Sequence, residues 1–265
     1  MRTVCLIGAP TDCNSSYLRG PAQAPARIRA ALHSDSGNPA SELGGELGAG
    51  IELHDAGDLP LTESSSDDAL IEAAVARALS AGEAPLLLGG DHSVTLPSVR
   101  AVARVYPQLS ILHIDAHPDL YHELLGNRRS HASPFARIME EQLAQRLVQV
   151  GIRTLNAHQR TQVERFGVEI VGMRGFSPEL VPPLPGPLYV SVDLDALDPA
   201  FAPGVSHHEP GGLSVRELID VLARLGDSRV VGADVVELNP DRDLNGVTAV
   251  VAAKIAKELA ALPGR

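Results

Sequence analysis

The sequence predicts an α/β protein: a three-layer α-β-α domain around a mostly parallel sheet of about eight strands. Three observations predict it. Eight short apolar, β-branched runs recur through the 265 residues. Amphipathic stretches separate most of them, the rhythm of strand–helix–strand units. The runs are flanked by Gly, Pro or Asp and lack strict polar alternation, as strands covered on both faces do.

Taken in order, TVCLIG (3–8) is a first strand. It has neither a long h-region nor a basic, Ser-rich leader, so it does not read as a signal or transit peptide. A helix with Pro near its start is expected over 21–32. The Gly- and Ser-rich stretch 33–50 reads as a surface excursion inside the βαβ rhythm, without the marks of a domain boundary. IELHD (51–55) is a strand, and 66–82 is a helix that begins at a Ser cap and ends at Gly. PLLLGG (85–90) and SILHID (110–115) are strands, followed by an amphipathic helix over 133–147. Strands are expected at 147–152, 168–172 and 188–193, a helix at 214–226, a strand at 230–238 and a last helix at 247–262. There is no internal repeat and no low-complexity tail, so residues 1–265 read as one domain.

Composition narrows the function. Lys and Arg number 22 against 33 Asp and Glu, a formal charge of −11. Such a surface repels phosphate backbones and anionic membranes, and it suits a cationic substrate. No apolar run approaches the ~20 residues that span a bilayer. Two cysteines, Cys5 and Cys13, make no disulfide framework, and a cytoplasmic, reducing compartment is expected.

Ligand sites in open α/β sheets form beyond the carboxyl ends of the strands. Three such ends carry Asp and His. GGDHS (89–93) supplies Asp91 and His92, DAHPD (115–119) supplies Asp115, His117 and Asp119, and DLDALDP (193–199) supplies Asp193, Asp195 and Asp198. If the pleat persists, the i, i+2, i+4 spacing puts Asp115, His117 and Asp119 on one face. Asp193 and Asp195 then close the group from a neighbouring strand. Four carboxylates crowded together cannot all stay ionised without cations. Two divalent ions cancel the four charges of Asp115, Asp119, Asp193 and Asp195, with room for one bridging hydroxide. The set has imidazoles and carboxylates and no thiolate, so Mn²⁺ fits best, while Zn²⁺, Co²⁺ or Ni²⁺ would also bind. Hydrolysis is the natural chemistry of such a pair. Taken singly, the pieces have plainer readings: DHS as a helix N-cap, and Asp198 before Pro199 as a turn residue.

Together with GADVVELNP (232–240), these clusters resemble the ureohydrolases, the family of arginase, agmatinase, guanidinobutyrase and formiminoglutamase. The resemblance covers essentially the whole chain. It runs to the plant-type arginase branch and its bacterial relatives through NSSYLRGPAQAPARIR (14–29), GNRRSHASPFARIME (126–140), DPAFAPGVSHHEPGGLSVRE (198–217) and NGVTAVVAAK (245–254). It implies an arginase-like fold, two Mn²⁺ per subunit and a trimer or hexamer. It implies that His92, Asp115, Asp119 and Asp193 hold one ion and that Asp115, His117, Asp193 and Asp195 hold the other. Glu237 falls where the family binds the guanidinium, a sensible bidentate partner for a planar cation. His131 falls where the family shuttles protons, a role it or Asp119 would fill for the leaving amine. Alone, His131 equally suits a neighbour of a helix cap.

His207 falls beside the guanidinium end, where many relatives have Thr and the plant-type branch has His. His208 reads as a solvent-facing loop histidine. At the substrate's amino-acid end the family pattern is altered. Tyr121 replaces the Asn that contacts the α-carboxylate, and Asn156 replaces an Asp that contacts the α-amino group. The implied reaction is hydrolysis of a small guanidino compound to urea and an amine. L-arginine is the first candidate, with agmatine or a guanidino acid as the alternative. Arg128 and Arg129 are candidate partners for an acidic substrate tail, or simply solvated loop residues. A deacetylase-like amidohydrolase and a non-catalytic subunit are the competing classes. The second full set of ligands argues against both.

Overall fold

A computed structural model describes residues 2–262. Nine strands form one parallel sheet: β1 (Arg2–Ala9), β2 (Glu46–Leu47), β3 (Gly50–Asp58), β4 (Ala84–Gly89), β5 (Ser110–Ile114), β6 (Arg146–Ile152), β7 (Glu169–Gly172), β8 (Pro187–Asp193) and β9 (Arg229–Val236). Their spatial order is β2-β3-β1-β4-β9-β8-β5-β6-β7. All eight expected strands are present. The ninth, β2, lies in the 33–50 excursion, where two residues pair with β3.

Among the described residues six α-helices connect strands, α1 (Ala24–Leu32), α2 (Asp67–Ser80), α3 (Thr95–Val105), α4 (Pro134–Glu140), α5 (Ala157–Phe166) and α6 (Val215–Ala223), and α7 (Val247–Ala261) follows β9. The alternate residues of each central strand divide between two cores, because successive side chains point to opposite faces. Leu6, Leu88, Leu112 and Val190 pack with α1, α6 and α7. Ile7, Leu87, Ile111 and Tyr189 pack with α2, α3 and α4. The result is the expected three-layer α-β-α arrangement.

Two expectations about helices need correction. The helix expected over 133–147 stops at Glu140. Gln142 takes a left-handed conformation, φ 55°, and Gln145 N–H donates to Leu109 O at 2.9 Å, aiming the chain into β6. The demand for that strand overrides a helix-compatible sequence. Two helices were not expected, α3 and α5. In α5 the fully buried side chains are Gln159 and Gln162, so no apolar stripe announces it.

The order β4-β9-β8-β5 matters most, because it sets the carboxyl ends carrying GGDHS, GADVVEL, DLD and DAHPD side by side. Ile114 pairs with Val192 and Asp193 pairs with Val236, so β5, β8 and β9 end level with one another. The GG before Asp91 is steric: a Cβ on Gly90 would lie 1.8 Å from Thr11 O, so only glycine lets β4 pass beneath the first loop.

Candidate active site

His92 follows β4 and is fully buried. Its Nε2 lies 2.9 Å from Ser191 Oγ, and that hydroxyl donates to Asp234 Oδ1 at 2.6 Å. Having given away its only proton, Ser191 accepts from Nε2–H, which leaves Nδ1 bare. Nδ1 has no hydrogen-bond partner and faces Asp115 Oδ2 at 3.3 Å, Asp119 Oδ2 at 3.1 Å and Asp193 Oδ2 at 3.1 Å. Four donor atoms thus converge on one point, which a proton or a cation must occupy. Donors bound about 2.1 Å from one cation are spaced by roughly 3.0–3.4 Å, so the group fits a metal ion.

A second group adjoins it. His117 Nδ1 lies 3.0 Å from Asp195 Oδ2 and 3.5 Å from Asp115 Oδ1. Asp115 belongs to both groups, and Asp193 Oδ1 accepts from Asp195 N–H at 2.8 Å. The electrostatics ask for cations. Burial, then the charges of Asp195 and Asp115, push the Asp193 carboxyl well above the usual range. Burial raises Asp195 to about 7 despite His117, with Asp115 adding to the rise. Burial opposes a charge on His92, yet Asp115, Asp119 and Asp193 outweigh it and hold the imidazole pKa well above its ordinary value.

The convergence is not achieved as the spacing predicts. The pleat ends at Ile114, and Asp119 has φ 47°, a left-handed turn that swings its carboxylate back toward His92. Such a conformation in a non-glycine residue costs on the order of 1 kcal/mol and marks functional sites. Glu237, which follows β9, has φ 67° and shares this feature.

The buried Glu237 carboxylate is anchored through one oxygen. Oε1 accepts from His92 N–H at 2.8 Å and contacts His131 Nδ1 at 2.8 Å. Burial favours a neutral imidazole at His131, but the Glu237 charge prevails and raises it to about 9. Ser16 N–H donates to His131 Nε2 at 3.1 Å, and Ser16 Oγ lies 2.9 Å from the same nitrogen. The His207 ring centroid is 5.2 Å from that of His131, and its buried Nε2 has no partner. Burial, then His131, lowers its pKa.

Asp119, Asp193, Asp195, Glu237, His117, His131 and His207 line a cavity of about 470 Å³, with His92 and Asp115 buried behind them. Tyr121 and Asn156 stand at the same cavity, hydrogen-bonded to each other, and Asn156 Oδ1 also accepts from Gln159 N–H at 2.9 Å to cap α5. The cavity's arginine, Arg153, spends its donors on the backbone carbonyls of Gly151, Asp195, Ala196 and Glu209.

Other candidates fall outside. Asp91 is the N-cap of the short turn after β4, its Oδ1 accepting from Ser93 N–H at 3.0 Å, which is the plain reading of DHS. Asp198 pins its loop by accepting from Ala200 and Gly211 N–H at 2.9 and 2.7 Å. Exposed His208 contacts Pro203 O at 2.7 Å. Arg128 pairs with Glu140 and Arg129 with Asp68, and neither lines the cavity.

One histidine was missed. His113 accepts from Gln149 at Nδ1 (2.9 Å) and donates through Nε2 to Asp115 Oδ2 at 2.7 Å, fixing the shared carboxylate. The period-two argument, extended one step back from Asp115, reaches it.

Comparison with known proteins decides the family. The sequence matches the Arginase family over residues 2–261. The chain belongs to the arginase family. This arginase-family chain is 50% identical over 274 residues to arginase 1, mitochondrial, of Arabidopsis thaliana, covering 97% of this chain and 80% of that protein. It is 36% identical to an agmatinase of Bacillus anthracis, covering 97% and 90%. Its structure superposes on arginase from Medicago truncatula with a TM-score of 0.90 at 43% identity, covering 98% and 87%. As a ureohydrolase it acts on a small guanidino substrate, and its buried His/Asp groups are able to hold metal. Among the described residues, no helix is long and apolar enough to cross a membrane.

Proposed function

We propose that this protein hydrolyses L-arginine to L-ornithine and urea at two Mn²⁺ ions. The observation that carries the reading is a His92 Nδ1 among three carboxylates, two of which (Asp119 and Asp193) line the cavity, next to a buried Glu237 that lines the same cavity and is anchored through only one oxygen. In the proposed assignment His92, Asp115, Asp119 and Asp193 hold one ion, and Asp115, His117, Asp193 and Asp195 hold the other. A donor set of imidazole and carboxylate without thiolate supports manganese. When bound, such a pair supplies a hydroxide nucleophile near neutral pH by acidifying a water.

The remaining work belongs to the chain. His92 N–H and His131 hold Glu237 Oε1, which frees Oε2 to accept from the guanidinium. The cation compensates the buried carboxylate and is thereby oriented. His207 presents an unpartnered Nε2 to the same end. His131 carries protons between the site and solvent by way of Ser16, and with Asp119 delivers one to the leaving amine. Tyr121 and Asn156 face the far end of the substrate.

Plant arginases of about half-identical sequence support arginine as that substrate. Agmatine is the second reading, favoured by one feature: no cavity-lining cation among the described residues is free to meet a carboxylate. Urea release from L-arginine, agmatine and 4-guanidinobutyrate by manganese-loaded protein tests the choice. Arginine should give the largest kcat/KM. A larger value for agmatine transfers the assignment to it, and no urea from any of the three refutes both.

One sheet and one family match over 2–261 support reading residues 1–265 as a single domain. The resemblance supports a homotrimer or hexamer, which light scattering would register. Free Cys5 and Cys13 support a cytoplasmic location, and the mitochondrial naming of the Arabidopsis relative makes cell fractionation the deciding assay.

A further inference from the structure

The amino-terminal edge of the same sheet carries a second set of metal-binding side chains, remote from the cavity. Cys5 on β1 pairs in register with His54 on β3, and Pro85 of β4 pairs with Cys5 from the other side. Glu83 lies just before β4. Parallel register sets side chains of paired residues side by side on one face. Cys5 Sγ, a His54 ring nitrogen and a Glu83 carboxylate oxygen accordingly lie within 4.8 Å of one another.

The environment suits an ion. Cys5 is 4% exposed and forms the floor. The Glu83 side chain is 17% exposed and forms a wall, while His54, at 57%, stands at the rim and leaves a way in. His54 Nδ1 already lies 3.0 Å from Glu83 Oε2. Ligands about 2.0–2.3 Å from a tetrahedral ion are separated by roughly 3.3–3.8 Å, so small side-chain adjustments complete the set. Burial, then the Glu83 charge, pushes the Cys5 thiol up to about 12 in the absence of a cation. A carboxylate that keeps a neighbouring thiol protonated becomes its co-ligand once a dication is present.

We propose that Cys5, His54 and Glu83 form a peripheral site for one borderline-soft divalent cation of the Zn²⁺ class, with an open fourth position for water. Binding displaces the thiol proton to solvent and forms the metal–sulfur bond, so affinity rises with pH. The donor set differs from that of the cavity, whose nitrogen and oxygen ligands suit harder ions. An ion here ties together β3, β1 and β4 at the end of the sheet opposite the reaction.

Cobalt(II) titrated into manganese-loaded protein provides the test, because thiolate-to-cobalt charge transfer absorbs in the near ultraviolet and the cavity offers no sulfur ligand. The site predicts a saturable band that persists in Cys13→Ser and disappears in Cys5→Ser. Exposed His54 is replaceable without disturbing the core, and both His54→Ala and Glu83→Gln should weaken cobalt binding at least tenfold. Absence of the band overturns the proposal. So does a band that vanishes with Cys13 in place of Cys5, or one whose titration is unchanged in His54→Ala and Glu83→Gln.

Discussion

At the scale of single residues, the site depends on which nitrogen of His92 carries a proton. Asp234 accepts from Ser191, Tyr189 and Thr95 hydroxyls at 2.6, 2.8 and 2.8 Å, and this buried relay directs the His92 Nδ1 lone pair toward the carboxylates. Ser191→Ala removes the acceptor for Nε2–H without touching a candidate ligand. Metal affinity should fall by about 10–100-fold, the usual cost of losing a partner that orients a ligating histidine; competition with a fluorescent chelator reads it. Glu237→Gln keeps the shape and removes the charge proposed to meet the guanidinium. Charged hydrogen bonds contribute about 1.5–3 kcal/mol, so kcat/KM should drop by roughly 10–150-fold with metal content unchanged, measurable by urea release and elemental analysis. His131→Asn should lower kcat by about 10²–10⁴-fold, the range for a positioned proton carrier.

At the scale of elements, buried carboxylates also fasten loops to helices. Glu258 on α7 is fully buried and accepts from the backbone N–H groups of Glu42 and Leu43, both at 3.1 Å, with Lys254 and Ser41 beside it. Burial alone would raise its pKa, but Lys254, Ser41 and the backbone donors prevail and lower it. A carboxylate whose folded pKa is depressed stabilises the protein above its unfolded value, about 4.3, and loses that contribution as pH falls through the folded value. The Tm of wild type should exceed that of Glu258→Gln at pH 7, and the gap should close below about pH 4.

The elements also show what sequence alone makes legible. Strands buried on both faces announce themselves as apolar runs, and all eight were placed. Helix α5 was not, because its buried positions are glutamines whose role is to bond backbone such as Leu120 O (Gln162 at 3.1 Å), a contact defined only by the fold. The candidate ligands were legible as residue types at strand ends. The left-handed turn at Asp119 that brings its carboxylate to His92 was not, since nothing in DAHPD signals it. Likewise Arg128 and Arg129 read as possible anion contacts, and only the positions of Glu140 and Asp68 reveal them as paired.

At the scale of the whole molecule, four adjacent strands act as one frame that holds like charges together. With a net charge of −11, the chain adds an unfavourable field to that crowding, and cations relieve both. Chelation should therefore lower Tm. An ion present at a hundred times its Kd stabilises by about 2.7 kcal/mol. For a protein of this size that is roughly 5–10 °C by calorimetry, recovered when Mn²⁺ is restored. The most direct examination of the frame is anomalous diffraction at the manganese edge from crystals of active, Mn²⁺-loaded protein. Two peaks should appear at the carboxyl ends of β4, β5 and β8, one against His92 Nδ1 and one against His117 Nδ1, with Asp115 touching both. Side chains of His92, Asp115, His117, Asp119, Asp193 and Asp195 turned apart, with no paired density among them, would contradict the account.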